Sequence, residues 1–112
     1  MKLFDVQISD SGNGRLDAAL SGEIDLSTVT ELEERLEDSL GGDPSLLVLD
    51  LREVTFLDSS GLRLLLRLDE RQRTAGGRLV LVKGGRRVER VFELTGAAER
   101  LEMVADPAEV PL

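Results

Sequence analysis

The sequence predicts an α/β domain: a mixed β-sheet of four to five strands, opened by an N-terminal hairpin and packed by about four helices. Three observations point there. Two short alternating segments flank a glycine-rich turn at the start of the chain. A nearly continuous apolar run, Leu46-Leu47-Val48-Leu49-Asp50-Leu51, follows in the middle. After the opening hairpin, stretches of helical and strand period alternate, the pattern of a layered fold with some parallel pairing. At 112 residues this is one domain, 1–112, long enough for a hydrophobic core without disulfide or metal staples.

Leu3 to Ile8 and Arg15 to Leu20 alternate as half-buried strands do. Between them, Asp10-Ser11-Gly12-Asn13-Gly14 is rich in residues that tolerate positive φ, so a hairpin is expected. Gly12 and Gly14 form a G-x-G, but no strand-to-helix context follows, and the turn explains them better than nucleotide binding does. Ser27 or Thr28 can cap the next helix, and Thr28 with Glu31 has the spacing of a capping box. Val29, Leu32, Leu36 and Leu40 fall on one narrow stripe, predicting an amphipathic helix that ends at Gly41-Gly42, residues suited to a left-handed exit. The apolar run from Leu46 reads as a central strand covered on both faces. A leucine-rich helix starts near Ser60 and reaches about Thr74, and Arg78 to Val82 is another strand. Arg87 to Leu94 reads as a third helix, with Val88, Val91 and Phe92 on one side and Gly96 after it. Leu101 to Val104 is the candidate last strand, and Asp106-Pro107 starts a short turn of helix in the favoured cap-then-proline order.

Composition excludes several functions. The 22 acidic and 14 basic residues give a net charge of −8, which opposes binding to nucleic acid or an anionic membrane by broad electrostatic attraction. No stretch reaches the apolar length of a membrane span, and Met1-Lys2-Leu3-Phe4-Asp5 lacks the apolar run of a signal peptide. A cytoplasmic protein is expected. The chain has neither histidine nor cysteine, so Ser-His-Asp or Cys-His catalysis and ordinary zinc sites are out of reach. Lysine remains as a base, but Lys2 and Lys83 are the only two and neither is near a candidate nucleophile in sequence. We therefore expect no enzyme activity.

The most informative stretch is Asp58-Ser59-Ser60-Gly61, where a buried strand gives way to Leu62-Arg63-Leu64-Leu65-Leu66. A hydroxyl here is either a helix cap or a group exposed to modification, because backbone N–H groups and the helix dipole favour negative charge at such a position. On the helix that follows, Leu62, Leu64, Leu65, Leu66 and Leu68 cover an arc of roughly 200° at about 100° per residue. That is wider than one sheet face needs. Either the helix is wedged between the sheet and a neighbouring helix, or the part near Leu64 and Leu68 is exposed and docks a partner.

Three stretches in register resemble the STAS-domain family, specifically the bacterial anti-sigma factor antagonists. They are Leu20-Ser21-Gly22-Glu23-Ile24-Asp25, matching a G-E-[LI]-D pattern; Leu49-Asp50-Leu51 with Val54-Thr55-Phe56-Leu57-Asp58-Ser59-Ser60-Gly61-Leu62; and Arg86 to Gly96, with Val91-Phe92-Glu93-Leu94-Thr95-Gly96. The resemblance extends from about Phe4 to Val104. It implies a single STAS domain in which Ser59, the first serine of D-S-S-G, accepts phosphate from a partner that is both anti-sigma factor and serine kinase. The unphosphorylated form would bind that partner and free the sigma factor, and a PP2C-type phosphatase would restore the hydroxyl. ATP and Mg²⁺ would belong to the kinase, so no cofactor is expected on this chain. Gly84-Gly85 stands where many relatives have Ser-Pro, Ala97 where leucine is common, and the end beyond Asp106 is shorter than the terminal helix of many members. These departures bear on packing and partner choice.

Within this reading Ser60 takes the cap and is the alternative acceptor. Glu23, Asp25 and Asp58 shape the docking surface and make an added phosphate costly there, although turn and cap hydrogen bonds would use the two aspartates equally well. Gly61 gives close backbone approach at the first turn, and Leu64 joins the partner-binding set. The Lys83-Gly84-Gly85-Arg86-Arg87 cluster is a solvated loop or a contact for an acidic patch. The alternative function is a STAS scaffold subunit of a transporter or signalling complex.

Overall fold

Helices and strands interleave around one five-stranded sheet in the computed structural model, which describes residues 3–110. The ends of the 1–112 domain, including Lys2, lie outside the described residues. The strands are β1 (Phe4–Asp10), β2 (Arg15–Ile24), β3 (Leu46–Leu57), β4 (Arg78–Val82) and β5 (Glu102–Val104), and the helices are α1 (Val29–Ser39), α2 (Ser59–Thr74) and α3 (Arg86–Thr95). Their order in the sheet follows the chain, β1-β2-β3-β4-β5. The opening pair is antiparallel and the other three pairs are parallel, as expected for a hairpin followed by crossover helices. Three α-helices replace the expected four or so. The helix expected at Asp106-Pro107 is a single 3₁₀ turn, Pro107–Glu109, whose first N–H groups include Ala108 N–H donating to Asp106 Oδ1 at 2.8 Å.

The hairpin turn forms as its glycines demand, with Gly12 at φ 77° and Gly14 at φ 87°, and Gly12 N–H donating to Asp10 Oδ1 at 2.8 Å. Two local expectations fail. The Thr28–Glu31 capping box does not form, because the buried Thr28 hydroxyl is used elsewhere: it donates to the Glu23 carbonyl at 2.8 Å and accepts from Asp25 N–H at 3.0 Å. The Asp25 carbonyl takes the first N–H groups of α1 instead, from Thr28 and Val29. At the other end of α1, the left-handed residue is Asp43, at φ 42°, and not Gly41 or Gly42. Aspartate tolerates that conformation, and its N–H donates to the Leu40 carbonyl at 2.8 Å.

The helices cover one face of the sheet. Leu47, Leu49 and Leu51 of β3 meet Leu32 and Leu36 of α1, Leu64, Leu65 and Leu68 of α2, and Val88 and Phe92 of α3 in one continuous core. Burying a leucine of this kind contributes about 1.5–3 kcal/mol. On the opposite face, Val48, Val80 and Val82 are covered by Val110 of the C-terminal segment. The central strand is therefore buried on both sides over its first half, as its apolar run requires. At the outer edge, Arg35 of α1 donates to the Val6 carbonyl of β1 at 2.9 Å and pairs with Asp5 at 3.3 Å. Among the described residues no helix is long and apolar enough to cross a membrane.

Candidate functional site

Strand β2 runs four residues past Leu20 and β3 six residues past Leu51, beyond the alternation and the apolar run that mark them in the sequence, and that overhang builds the site. Parallel strands deliver their C-terminal ends to one rim of the sheet, the usual place for recognition residues in such folds. Here Ile24 lies beside Leu57, and Glu23 beside Phe56, after bulges between Ala19 and Ser21 and between Gly22 and Glu23. The chain then leaves β2 through Asp25-Leu26-Ser27-Thr28 and leaves β3 directly into α2.

Asp58 is the cap of α2, and it reaches further than its own helix. Its Oδ1 accepts from Ser60 N–H at 2.8 Å and Gly61 N–H at 3.1 Å, and its Oδ2 accepts from Leu26 N–H at 3.3 Å. Its own N–H donates to the Ile24 carbonyl at 3.3 Å. The two loops of the rim are thus tied together through one residue. This corrects the expectation that Ser60 caps the helix: Ser60 is already its second residue, and a carboxylate with extended backbone geometry outcompetes it. It also removes the free helix N-terminus that an added phosphate was expected to meet, since Asp58 already occupies two of its donors.

Ser59 is the first residue of α2 and is exposed, whereas Ser60 is half-buried. The Ser59 hydroxyl makes no hydrogen bond among the described residues. Gly61 is required sterically: a Cβ there would stand 2.6 Å from the Ile24 carbonyl oxygen and 2.5 Å from Leu57 Cδ1. Asp25 is held by an Asx turn, accepting at Oδ1 from Ser27 N–H at 2.9 Å and from the Ser27 hydroxyl at 2.6 Å. The Ser27 hydroxyl, working against desolvation and helped by the Ser27 N–H and by the hydroxyl and N–H of Thr28, holds the Asp25 carboxyl below the usual carboxylate range. Glu23, half-buried beside Phe56, completes the set at the end of β2.

Glu23, Asp25, Asp58, Ser59, Ser60 and Gly61 therefore share one rim. Leu64 does not join them. It is fully buried and Leu68 is 3% exposed, so neither offers a contact to a partner. The reason is the position of α1. Arg67 and Arg71 of α2 pair with Glu33 and Glu37 of α1 at 3.2 and 3.5 Å, so α1 lies along that edge of α2. Leu64 and Leu68 are next to the same edge on the helical wheel and sit beneath α1. The wide leucine arc is that of a helix wedged between sheet and helix.

Two residues of the rim escaped sequence reasoning. Leu26 is 76% exposed and Phe56 is 44% exposed, the first in the loop tied to Asp58 and the second one residue before the end of β3. A leucine between Asp25 and Ser27, outside any hydrophobic period, was the available signal. The Lys83–Arg87 cluster stands apart. Gly84 packs against the Leu51 carbonyl, where a Cβ would meet it at 2.6 Å, and Leu51 lies six residues before Leu57, roughly 20 Å back along β3. Among the described residues no group of three or more carboxylates is gathered as a metal would need.

Residues 12–110 match the profile of the STAS domain. A Listeria monocytogenes protein named "Anti-sigma-B factor antagonist" is 31% identical over 98 residues, 88% of this chain and 86% of its own. A Mycobacterium tuberculosis protein named "Anti-sigma-F factor antagonist RsfB" is 41% identical over 59 residues, 53% of this chain and 48% of its own. The crystal structure of an anti-sigma factor antagonist from Mycobacterium paratuberculosis superposes with a TM-score of 0.84 at 28% identity, covering 95% of this chain and 89% of that one.

Proposed function

The chain belongs to the STAS-domain family, and from that premise we propose that it is an anti-sigma factor antagonist switched by phosphorylation of Ser59. Its curated relatives carry that functional name, over most of this chain's length in the Listeria case. The observation that carries the reading is the division of labour at the start of α2. Asp58 takes the cap, which leaves the Ser59 hydroxyl exposed and without a hydrogen-bond partner among the described residues.

In this reading the rim of Glu23, Asp25, Leu26, Phe56 and Ser59 meets an anti-sigma factor in the cytoplasm. The sigma factor that the partner had held is freed. When the partner acts as a serine kinase, the γ-phosphoryl of its ATP forms a bond to Ser59 Oγ. The bond to the bridging oxygen of the β-phosphate breaks, ADP leaves, and the hydroxyl proton passes to a base. That base is the kinase's in this reading, because the rim carboxylates nearest Ser59 are already engaged, Asp58 by the Ser60, Gly61 and Leu26 N–H groups and Asp25 by Ser27. ATP and Mg²⁺ are likewise the kinase's, and a PP2C-type phosphatase reverses the modification. The chain is substrate and binding module, not catalyst.

The magnitude suffices for a switch. Phosphate adds about −1.5 to −2 charges at pH 7, beside two carboxylates already fixed at the rim. Burying an unpaired charge at an interface costs on the order of 2–5 kcal/mol, roughly 30-fold to several thousandfold in affinity. The test is incubation with the cognate anti-sigma kinase and labelled ATP. Wild type takes up phosphate and Ser59→Ala does not; equal incorporation into both overturns the assignment. Ser59→Asp is expected to weaken partner binding at least tenfold while leaving the fold intact.

A further inference from the structure

Helix α2 carries a row of residues spaced by four, Ser59, Arg63, Arg67 and Arg71, and α1 carries a matching row facing it. Arg71 pairs with Glu37 at 3.5 Å and with Asp43 at 3.7 Å, and Arg67 pairs with Glu33 at 3.2 Å. Stepping back by four once more gives Arg63 on α2 and Val29 on α1. Valine has no charge to offer. Arg73, on another face of α2, is also paired, with Asp69 at 3.0 Å. Arg63 is therefore the one arginine of α2 with neither an ion pair nor a side-chain hydrogen bond among the described residues, and it is exposed.

The next position of the same row is Ser59. Residues four apart on a helix have Cβ atoms about 5–6 Å apart, within reach of an arginine for a group on a serine oxygen. Two donors of the helix terminus are not available to such a group, because Ser60 N–H and Gly61 N–H already serve Asp58. We propose that Arg63 is the intramolecular counter-ion of phosphorylated Ser59, the phosphate supplying the acidic partner that Val29 does not. This rests on Ser59 as the modified residue. Guanidinium and phosphate match in a two-pronged geometry that ammonium does not reproduce.

The pairing has a consequence for the switch. Phosphorylation both adds negative charge at the rim and engages the one uncommitted cation of α2. Asp58 and Asp25 oppose the phosphate from the cap and from the β2–α1 loop, with Glu23 behind them. Asp69, Glu70 and Glu99 line the same surface groove as Arg63, and among the described residues none of them pairs with it, Asp69 being held by Arg73. The phosphate thus sits between fixed carboxylates on one side and a single arginine on the other.

The test uses the full chain with phosphoserine encoded at position 59, titrated by phosphorus-31 NMR. The second ionisation of the phosphate, near pH 6 for a free phosphoserine, is expected about 0.3 unit lower in wild type than in Arg63→Gln, the size typical of exposed helical ion pairs. Arg67→Gln, one turn further on, should move it by less than a third as much. Identical midpoints in wild type and Arg63→Gln overturn the pairing, and so does an equal shift from Arg67→Gln. Because the phosphoserine is encoded, this outcome is separate from kinase labelling: a shifted midpoint stands even where no kinase modifies Ser59, and labelling of Ser59 with no shift refutes only the role of Arg63.

Discussion

Gly61→Ala is the sharpest perturbation of the rim, because two opposite effects meet there and the structure decides between them. Inside a helix, replacing glycine by alanine ordinarily stabilises by about 0.5–1 kcal/mol through the lost freedom of the unfolded chain. At position 61 the new methyl would stand 2.5 Å from Leu57 Cδ1, 2.6 Å from the Ile24 carbonyl oxygen and 2.9 Å from Ile24 Cγ2. The Leu57 methyl can swing aside. The Ile24 carbonyl cannot, since it belongs to a sheet strand and accepts from Asp58 N–H at 3.3 Å. Overpacking costs about 1–3 kcal/mol, and with a fixed backbone oxygen at 2.6 Å the upper part, about 2–3 kcal/mol, applies, so the net loss is about 1–2.5 kcal/mol. For a domain of this size each kcal/mol lowers Tm by about 4–8 °C. Thermal unfolding followed by circular dichroism measures it, with Gly41→Ala as the control, since nothing lies within 4 Å of a Cβ at Gly41. A Gly61→Ala protein as stable as wild type would refute the claim that close approach of backbone, and not chance, keeps glycine in the motif.

Two further outcomes are expected. Leu26→Asp and Phe56→Asp should each change stability by less than about 0.5 kcal/mol, as surface substitutions do, yet weaken binding of the anti-sigma factor tenfold or more by calorimetry; unchanged affinity in both would remove the apolar rim from the footprint. Asp50 accepts from Arg52 Nε at 3.0 Å, Nη2 at 2.8 Å and N–H at 3.0 Å, and the Arg52 guanidinium chiefly holds its carboxyl below the usual range. Its folded value lies under the unfolded value of about 3.9, so the stabilisation is present above that pH and is lost as pH falls through the folded value. Asp50→Asn should therefore be less stable than wild type near neutrality, by up to about 1 kcal/mol for so exposed a pair, and the gap should close in acid; a gap independent of pH would contradict the assignment.

The sheet and helix order was legible because each element there obeys one period. Alternation marked β1 and the start of β2, and leucines three and four apart marked α1. The second half of β3 was not legible, and the reason is physical. Leu51, Val54 and Leu57 are buried at intervals of three and not at the two of a plain strand, because β3 carries the extra residue at each of its two bulges against β2. The same bulges carry Glu23 and Phe56 to the rim. The G-E-I-D and D-S-S-G stretches are brought together at one rim of the sheet. They could not distribute its roles, since Asp, Ser59 and Ser60 are all good caps and only geometry shows which one spans two loops. The misreading of Leu64 has a similar origin: an arc of leucines states how much surface is apolar, but the Arg67–Glu33 and Arg71–Glu37 pairs fix which neighbour covers it.

Arg35 shapes what can approach from the far side. Strand β1 is an edge strand, with half of its backbone groups turned outward, and such an edge invites another chain to add a strand. The Arg35 guanidinium takes the Val6 carbonyl in the middle of that edge, and Asp5 holds the same guanidinium. An incoming strand would have to displace a charged side chain from its carboxylate before forming its central hydrogen bond. The sheet is thereby closed to augmentation at its longest open margin, and recognition is left to loops and helix ends, where a single modified side chain can decide it.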